Sequence, residues 1–371
     1  PWAGPYGGVP PFDRVRVADI GPALAAAMEA HLDEIDAIAS DPAPATFENT
    51  LAALERAGHA AERVRAIFGV WAATMNDRAF QVVEREMAPR LAAFSDRIYQ
   101  NDALFARIAA VYDGRDAAGL TAEQRRLAWL YHTTFVRAGA RLDPASKARL
   151  SAINQRLATL FTTFSQHVLR DETSQRLVIR HEAGLSGVSR SLRDAAAAEA
   201  AAAGEPGAWA IANTRSAMDP FLTTAADRTE RERAWRLFVG RGATKPDTRN
   251  DAVIAEILAL RTERARLIGY PTHAHWRLEN TMAETPERAL ALMEQVWTRA
   301  VARVRDEVAA MQRIADADGV TIAPWDYRYY AEKVRRTRFD LDQAVLKPYL
   351  QLDQLREAMF WVAGELFGMV F

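Results

Sequence analysis

The run His181-Glu182-Ala183-Gly184-Leu185 opens like H-E-x-x-H. In that motif two histidines one helical turn apart face a single zinc, and the glutamate acts on the metal-bound water. Leu185 stands where the second histidine belongs. The preceding Arg176-Leu177-Val178-Ile179-Arg180 is β-like and Gly184 breaks a helix, so the match reads as accidental. His273-Ala274-His275 could chelate a metal only from extended backbone, where alternate residues share a face; on a helix the two rings diverge. No third ligand is near in sequence and a helical stripe resumes through Trp276 and Leu278, so ordinary surface or core histidines are the favoured reading. His31, His59, His132 and His167 are scattered, with neither ligand nor triad spacing.

Lys333, Arg335, Arg336 and Arg338 form a basic cluster preceded by Trp325, Tyr327, Tyr329 and Tyr330. Three chemistries fit this mixture. One is a surface for single-stranded nucleic acid. Another is a groove wall that holds peptide carboxylates by charge and side chains by contact. The third, favoured over both, is a solvated basic helix face behind a packed aromatic cluster. Gly4 to Gly8 has no lysine after its glycines and precedes no strand-to-helix unit, which argues against a phosphate loop. No Ser/His/Asp signature occurs. No residue is therefore assigned as catalytic, cofactor-binding or metal-ligating.

The elements that would position such groups are mostly helices. The 371 residues are 49% hydrophobic, enough for two or three packed units. Lys+Arg total 47 against Asp+Glu 48, so the net charge of -1 gives no field that draws nucleic acid or anionic lipid. Neither nucleic acid nor membrane is an expected partner. The absence of cysteine removes disulfides, thiolate metal sites and cysteine nucleophiles. Apolar stretches stop well short of the roughly 18 residues a membrane span needs. The stretch from Pro1 to Phe12 has neither the basic start nor the apolar core of a signal peptide. The cytoplasm is the expected compartment, with the periplasm the alternative had a leader been removed.

Helix starts can be read directly. Thr121-Ala122-Glu123-Gln124 has capping-box spacing, and Asp143-Pro144 and Thr285-Pro286 place a capping side chain before a first-turn proline. From Pro144, the residues Leu150, Ile153, Leu157, Leu160, Phe161, Phe164 and Val168 make one apolar stripe. From Pro286, Leu290, Met293, Val296, Trp297, Ala300, Val304, Val308 and Met311 repeat it. A third helix through Ile254, Ile257, Leu258, Ala265 and Ile268 stops at Gly269-Tyr270-Pro271. Between about Asp171 and Thr224, Arg176–Arg180 and Trp209–Ala212 read as short strands. They flank an alanine run from Asp194 to Gly204 that is expected to be a solvent-facing helix set by propensity rather than packing. Leu352, Leu355, Met359, Val362, Ala363 and Leu366 form a last stripe before Phe367-Gly368-Met369-Val370-Phe371. This apolar finish favours a polypeptide that once continued over a buried final strand. The expected fold class is mainly α: long antiparallel helices with a small strand-containing insert.

Several stretches resemble one family. Gly4-Pro5-Tyr6-Gly7-Gly8-Val9-Pro10-Pro11-Phe12-Asp13 and Thr46-Phe47-Glu48-Asn49-Thr50-Leu51-Ala52-Ala53-Leu54-Glu55-Arg56 resemble the start of the bacterial dipeptidyl carboxypeptidases. These are relatives of oligopeptidase A and thimet oligopeptidase in a zinc metallopeptidase family. Glu84-Arg85-Glu86-Met87-Ala88-Pro89 and Ile153-Asn154-Gln155-Arg156-Leu157-Ala158 resemble its long N-terminal helices. Pro324-Trp325-Asp326-Tyr327-Arg328-Tyr329-Tyr330, Lys347-Pro348-Tyr349-Leu350 and Glu365-Leu366-Phe367-Gly368 are similar to the run leading into its catalytic half.

The resemblance implies part of a two-lobed, mostly helical channel fold that admits short peptides with free C-termini. It implies an arm and long-helix lobe at 1–170, a small mixed insert at 171–225, and a helical segment at 226–371 leading into a zinc domain. The H-E-x-x-H helix, the third zinc ligand and the later tyrosine-rich loop have no counterpart here. The resemblance therefore places them beyond Phe371, with zinc a cofactor of the parent enzyme and not bound by this segment. This segment alone is then expected to be inactive, to shape the channel, to pair with the catalytic half, and to self-associate when that half is missing. The alternative is a non-catalytic helical module that binds peptides or a protein.

Overall fold

A computed structural model describes residues 10–339 and 343–371. Residues 1–9, which carry most of the Gly4–Asp13 resemblance, lie outside the described part. The chain divides into two compact units, residues 1–170 with 242–293, and residues 171–241 with 294–371. The fold is mainly α, with a single two-stranded sheet among the described residues. No described helix is long and apolar enough to cross a membrane.

In the first unit, helix Val17–Ala39 presents Ile20, Leu24, Met28 and Leu32, each four residues after the last, to Trp71, Phe80, Met87 and Phe94. A second cluster joins Ile35 and Leu51 to Leu104, Ile108 and Phe135. The helix starts read from sequence are built as expected. Thr121 Oγ1 accepts from Gln124 N at 3.2 Å while Gln124 Oε1 accepts from Thr121 N at 3.0 Å. Asp143 Oδ1 accepts from the N–H groups of Ala145 and Ser146, each at 3.0 Å. Helix Pro144–Ser174 then buries Leu150, Ile153, Leu157 and Leu160, the last three packing on Ile257 of helix Asp251–Leu267. That helix is closed by Gly269, whose φ of +90° is the left-handed conformation glycine adopts freely.

In the second unit, strand Arg176–Ile179 pairs antiparallel with Trp209–Ala212, with Arg176 opposite Ala212 and Ile179 opposite Trp209. The alanine-rich helix between them, Arg190–Ala202, corrects the expectation of a purely solvent-facing element. Ala200 is 0% exposed and clusters with Ala208 and Ala210, while Ala196 enters the core around Phe221 and Met218. Methyl-sized side chains let this helix approach the strand closely, so packing as well as propensity selects alanine.

Two of the expected apolar stripes are not core. On helix Pro286–Ala317 only Ala310, Met311 and Ala315 are buried, and Trp297 is 69% exposed with Met293, Val296, Val304 and Val308 open beside it. Helix Leu352–Phe367 exposes Leu352, Leu355, Met359, Val362 and Leu366. Met369, Val370 and Phe371 form no strand and are exposed, so the buried-final-strand alternative is not what the structure has.

Candidate functional site

His181 stands at the N-cap position of a 3-10 turn, Glu182–Leu185, with no side-chain capping bond, two residues after the first strand ends. A Cβ added at Gly184 would lie 2.9 Å from Ile179 Cγ2, so the close packing of this turn depends on glycine. Nothing here has the helical geometry that H-E-x-x-H requires. His273 and His275 open the short helix His273–Leu278, where their rings part. His275 Nδ1 lies 2.9 Å from Thr272 Oγ1, and its Nε2 lies 3.9 Å from Glu287. His273 leans on the Trp276 ring at 5.5 Å. Among the described residues no group of three or more His, Asp or Glu side chains is placed to hold a metal ion.

In the basic and aromatic cluster Tyr330 turns into the core, Trp325, Tyr329, Lys333 and Arg335 are half-buried, and Tyr327, Arg336 and Arg338 stay exposed. Tyr330 is buried, and its hydroxyl donates to Asp318, which also holds Lys333 at 2.8 Å. Glu332 accepts from Arg335 and Arg336. The centre of this node is Asp326, a residue that spacing alone did not single out. Its carboxylate is 0% exposed. It accepts from Arg228 Nε at 3.0 Å, Arg228 Nη2 at 2.9 Å, Arg231 Nη2 at 2.8 Å and the Ala323 N–H at 3.0 Å. Arg231 in turn donates to the carbonyls of Ala225 and Ala226 and lies 4.1 Å over the Tyr329 ring. Burial pushes the Asp326 carboxyl up, but hydrogen bonds from the two arginines outweigh it and hold the group below its usual value. This node ties helices Arg215–Thr224, Arg228–Val239 and Tyr327–Phe339 together, which is a structural task.

The more reactive electrostatics lie in the first unit, in a cleft of about 320 Å³. Helices Arg78–Tyr99, Pro144–Ser174 and Asp251–Leu267 supply Asp96, Asn154 and Arg264, with Trp276 from the next helix. Asn154 bridges two charges: its Nδ2 donates to Asp96 Oδ1 at 2.8 Å, and its Oδ1 accepts from Arg264 Nη1 at 3.2 Å. Burial raises the Asp96 carboxyl above its ordinary value. Burial, then Arg261 and Arg277, bring Arg264 down to about 10, still cationic at neutral pH. Burial, then Arg264, Arg261 and Arg277, bring His273 down to about 4, so its imidazole is neutral at pH 7. Sequence reasoning weighed His273 as a metal ligand against an ordinary surface or core histidine, favoured the latter, and missed this cleft, because the residues Asp96, Asn154, Arg264 and Trp276 are separated by up to 180 positions and share no motif. The one local signal was the density of Arg261, Arg264, Arg266 and Arg277 around Trp276.

Comparison with known proteins shows that residues 221–371 match Peptidase family M3. It is 37% identical over 370 residues to the dipeptidyl carboxypeptidase of Escherichia coli (strain K12), covering 98% of this chain and 54% of that protein. It is 36% identical to the dipeptidyl carboxypeptidase of Salmonella typhimurium, with the same two coverages. It is 27% identical to the organellar oligopeptidase A of Arabidopsis thaliana over 97% of this chain and 46% of that protein. The chain spans about half the length of the curated relatives it matches.

Proposed function

We propose that this chain is the N-terminal portion of a zinc-dependent peptidase that removes dipeptides from the free C-termini of short peptides. The observation that carries the reading is the 37% identity with the E. coli dipeptidyl carboxypeptidase, sustained over 98% of the chain. Hydrolysis of the penultimate peptide bond consumes one water, and the match to Peptidase family M3 supports zinc as the group that activates it. Among the described residues the donor set does not fit such a centre, since no three candidate ligands converge. No catalytic step is therefore assigned to a residue of this chain.

In this reading residues 1–170 are the arm and long-helix lobe, 171–225 a mixed insert, and 226–371 the stretch that leads into the catalytic domain. The chain walls the substrate channel and works in the cytoplasm. The open stripes on helices Pro286–Ala317 and Leu352–Phe367 support a partner surface for that domain, because contiguous apolar area of this kind is seldom left in water. The purified 371-residue chain, incubated with one equivalent of zinc and an N-acetylated tetrapeptide, is expected to release no dipeptide by mass spectrometry. Zinc-dependent release would overturn the assignment of the catalytic centre to other residues.

A further inference from the structure

The ion pairs on the two long helices of the first unit set up a contrast. Arg149 and Arg156 on Pro144–Ser174 each form a two-pronged pair with Glu263 and Glu256 of Asp251–Leu267, at 2.6–2.8 Å. One and two residues away from Glu263, the neighbouring cations have no such partner. Arg264 has a single hydrogen bond, to the neutral Asn154 amide, and its Nε is buried with no acceptor. Arg261 also has a buried Nε without an acceptor, and so does the Nδ1 of His273. The ring centroids of Trp276 and Phe161 lie 4.6 Å and 5.1 Å from the guanidinium carbons of Arg264 and Arg261. Ring faces attract a cation but do not neutralise it. The nearest carboxylate to Arg264 is Asp96, held off by the intervening Asn154 amide. A partly desolvated guanidinium with no direct carboxylate contact is costly to keep unless an anion meets it.

The remainder of the cleft restricts that anion. Leu150, Leu157, Phe161 and Ile268 line it as well and reward an apolar body, while the Arg137 on its wall is already paired with Glu279 and the Trp276 carbonyl. Across Asn154 from Arg264 sits Asp96, 8% exposed, whose Oδ2 has no donor. A ligand with an N–H one amide length from its carboxylate matches that pair. We propose that this cleft binds the carboxylate of an N-acylated apolar amino acid, with the acid on Arg264, the N–H toward Asp96 and the side chain against Trp276 and Phe161. The same chemistry is presented by a free acyl amino acid and by the C-terminal residue of an apolar peptide. The inference stands on the geometry of the first unit and does not depend on the peptidase reading.

Calorimetry on the 371-residue chain tests it with N-acetylphenylalanine, N-acetylphenylalanine amide, N-acetylalanylphenylalanine and inorganic phosphate. The acid is expected to saturate one site per chain and to bind at least tenfold more tightly than its amide or phosphate. Arg264→Met is expected to weaken the acid at least tenfold with an unchanged far-ultraviolet circular dichroism spectrum. Tighter binding of the dipeptide acid would identify a peptide end as the ligand, and equal binding a free acyl amino acid; both support the site. Equal affinity for acid and amide overturns it with the unmodified chain alone. So does binding of phosphate as tight as that of the acid, or no saturable binding of any probe.

Discussion

Asp326 and Arg231 are a buried pair of opposite charges in the second unit, with side chains 0% and 2% exposed. Removing the carboxylate leaves Arg231 without its charge partner, so Asp326→Ala is expected to cost about 3–5 kcal/mol in urea unfolding. The Asp326 carboxyl lies below its ordinary value in the folded state. The stability it contributes is therefore complete above the unfolded value of about 4 and is lost as pH falls through the folded value. His273 has the opposite chemistry with the same slope. Its folded value of about 4 lies below the ordinary 6.5, so the unfolded chain binds the extra proton between them. Stability is expected to fall as pH drops from about 6.5 toward 4, and His273→Gln to flatten that slope in thermal melts. A slope unchanged by the substitution would show that His273 is not the group responsible.

At the scale of elements, local signals were legible where the physics is local: the helices from Pro286 and Leu352 exist as read, though their apolar stripes are exposed rather than core. The Thr121–Gln124 box, the Asp143 cap, the Gly269 stop and the two strand runs each depend on residues within a few positions, and each is present. The Asp326 node was not legible, because Arg228 and Arg231 lie 98 and 95 residues away and only the fold brings them to it. The cleft was hidden for the same reason, its groups coming from three long helices. The alanine helix was half read: propensity explains why it is a helix, but only the strand beneath it explains why the buried side is methyl-sized. A related packing constraint is Gly187, with φ +81° and the Thr224 carbonyl 2.3 Å from where a Cβ would stand. That turn is pinned by the Ala226 N–H donating to the Ser186 carbonyl at 2.8 Å. Gly187→Ala is expected to destabilise by more than about 1 kcal/mol in urea unfolding, since backbone must move to admit the methyl.

At the scale of the whole molecule, the leading feature is apolar area with nothing on it. Trp297, Val304 and Val308 on one helix and Met359, Val362 and Leu366 on another are exposed in a chain that spans about half of its relatives. Such faces associate with whatever is available, so sedimentation velocity on the isolated chain is expected to show concentration-dependent self-association. Trp297→Glu combined with Val304→Glu is expected to reduce it; a monomer at every concentration would mean the stripe is not adhesive. The most direct test of the peptidase assignment is a chimera of this chain with the part of the E. coli dipeptidyl carboxypeptidase outside the alignment. Incubated with an N-acetylated tetrapeptide, it is expected to release the C-terminal dipeptide and to leave the C-terminally amidated peptide intact. A folded, zinc-loaded chimera that leaves both peptides whole, or that liberates single amino acids, would contradict it.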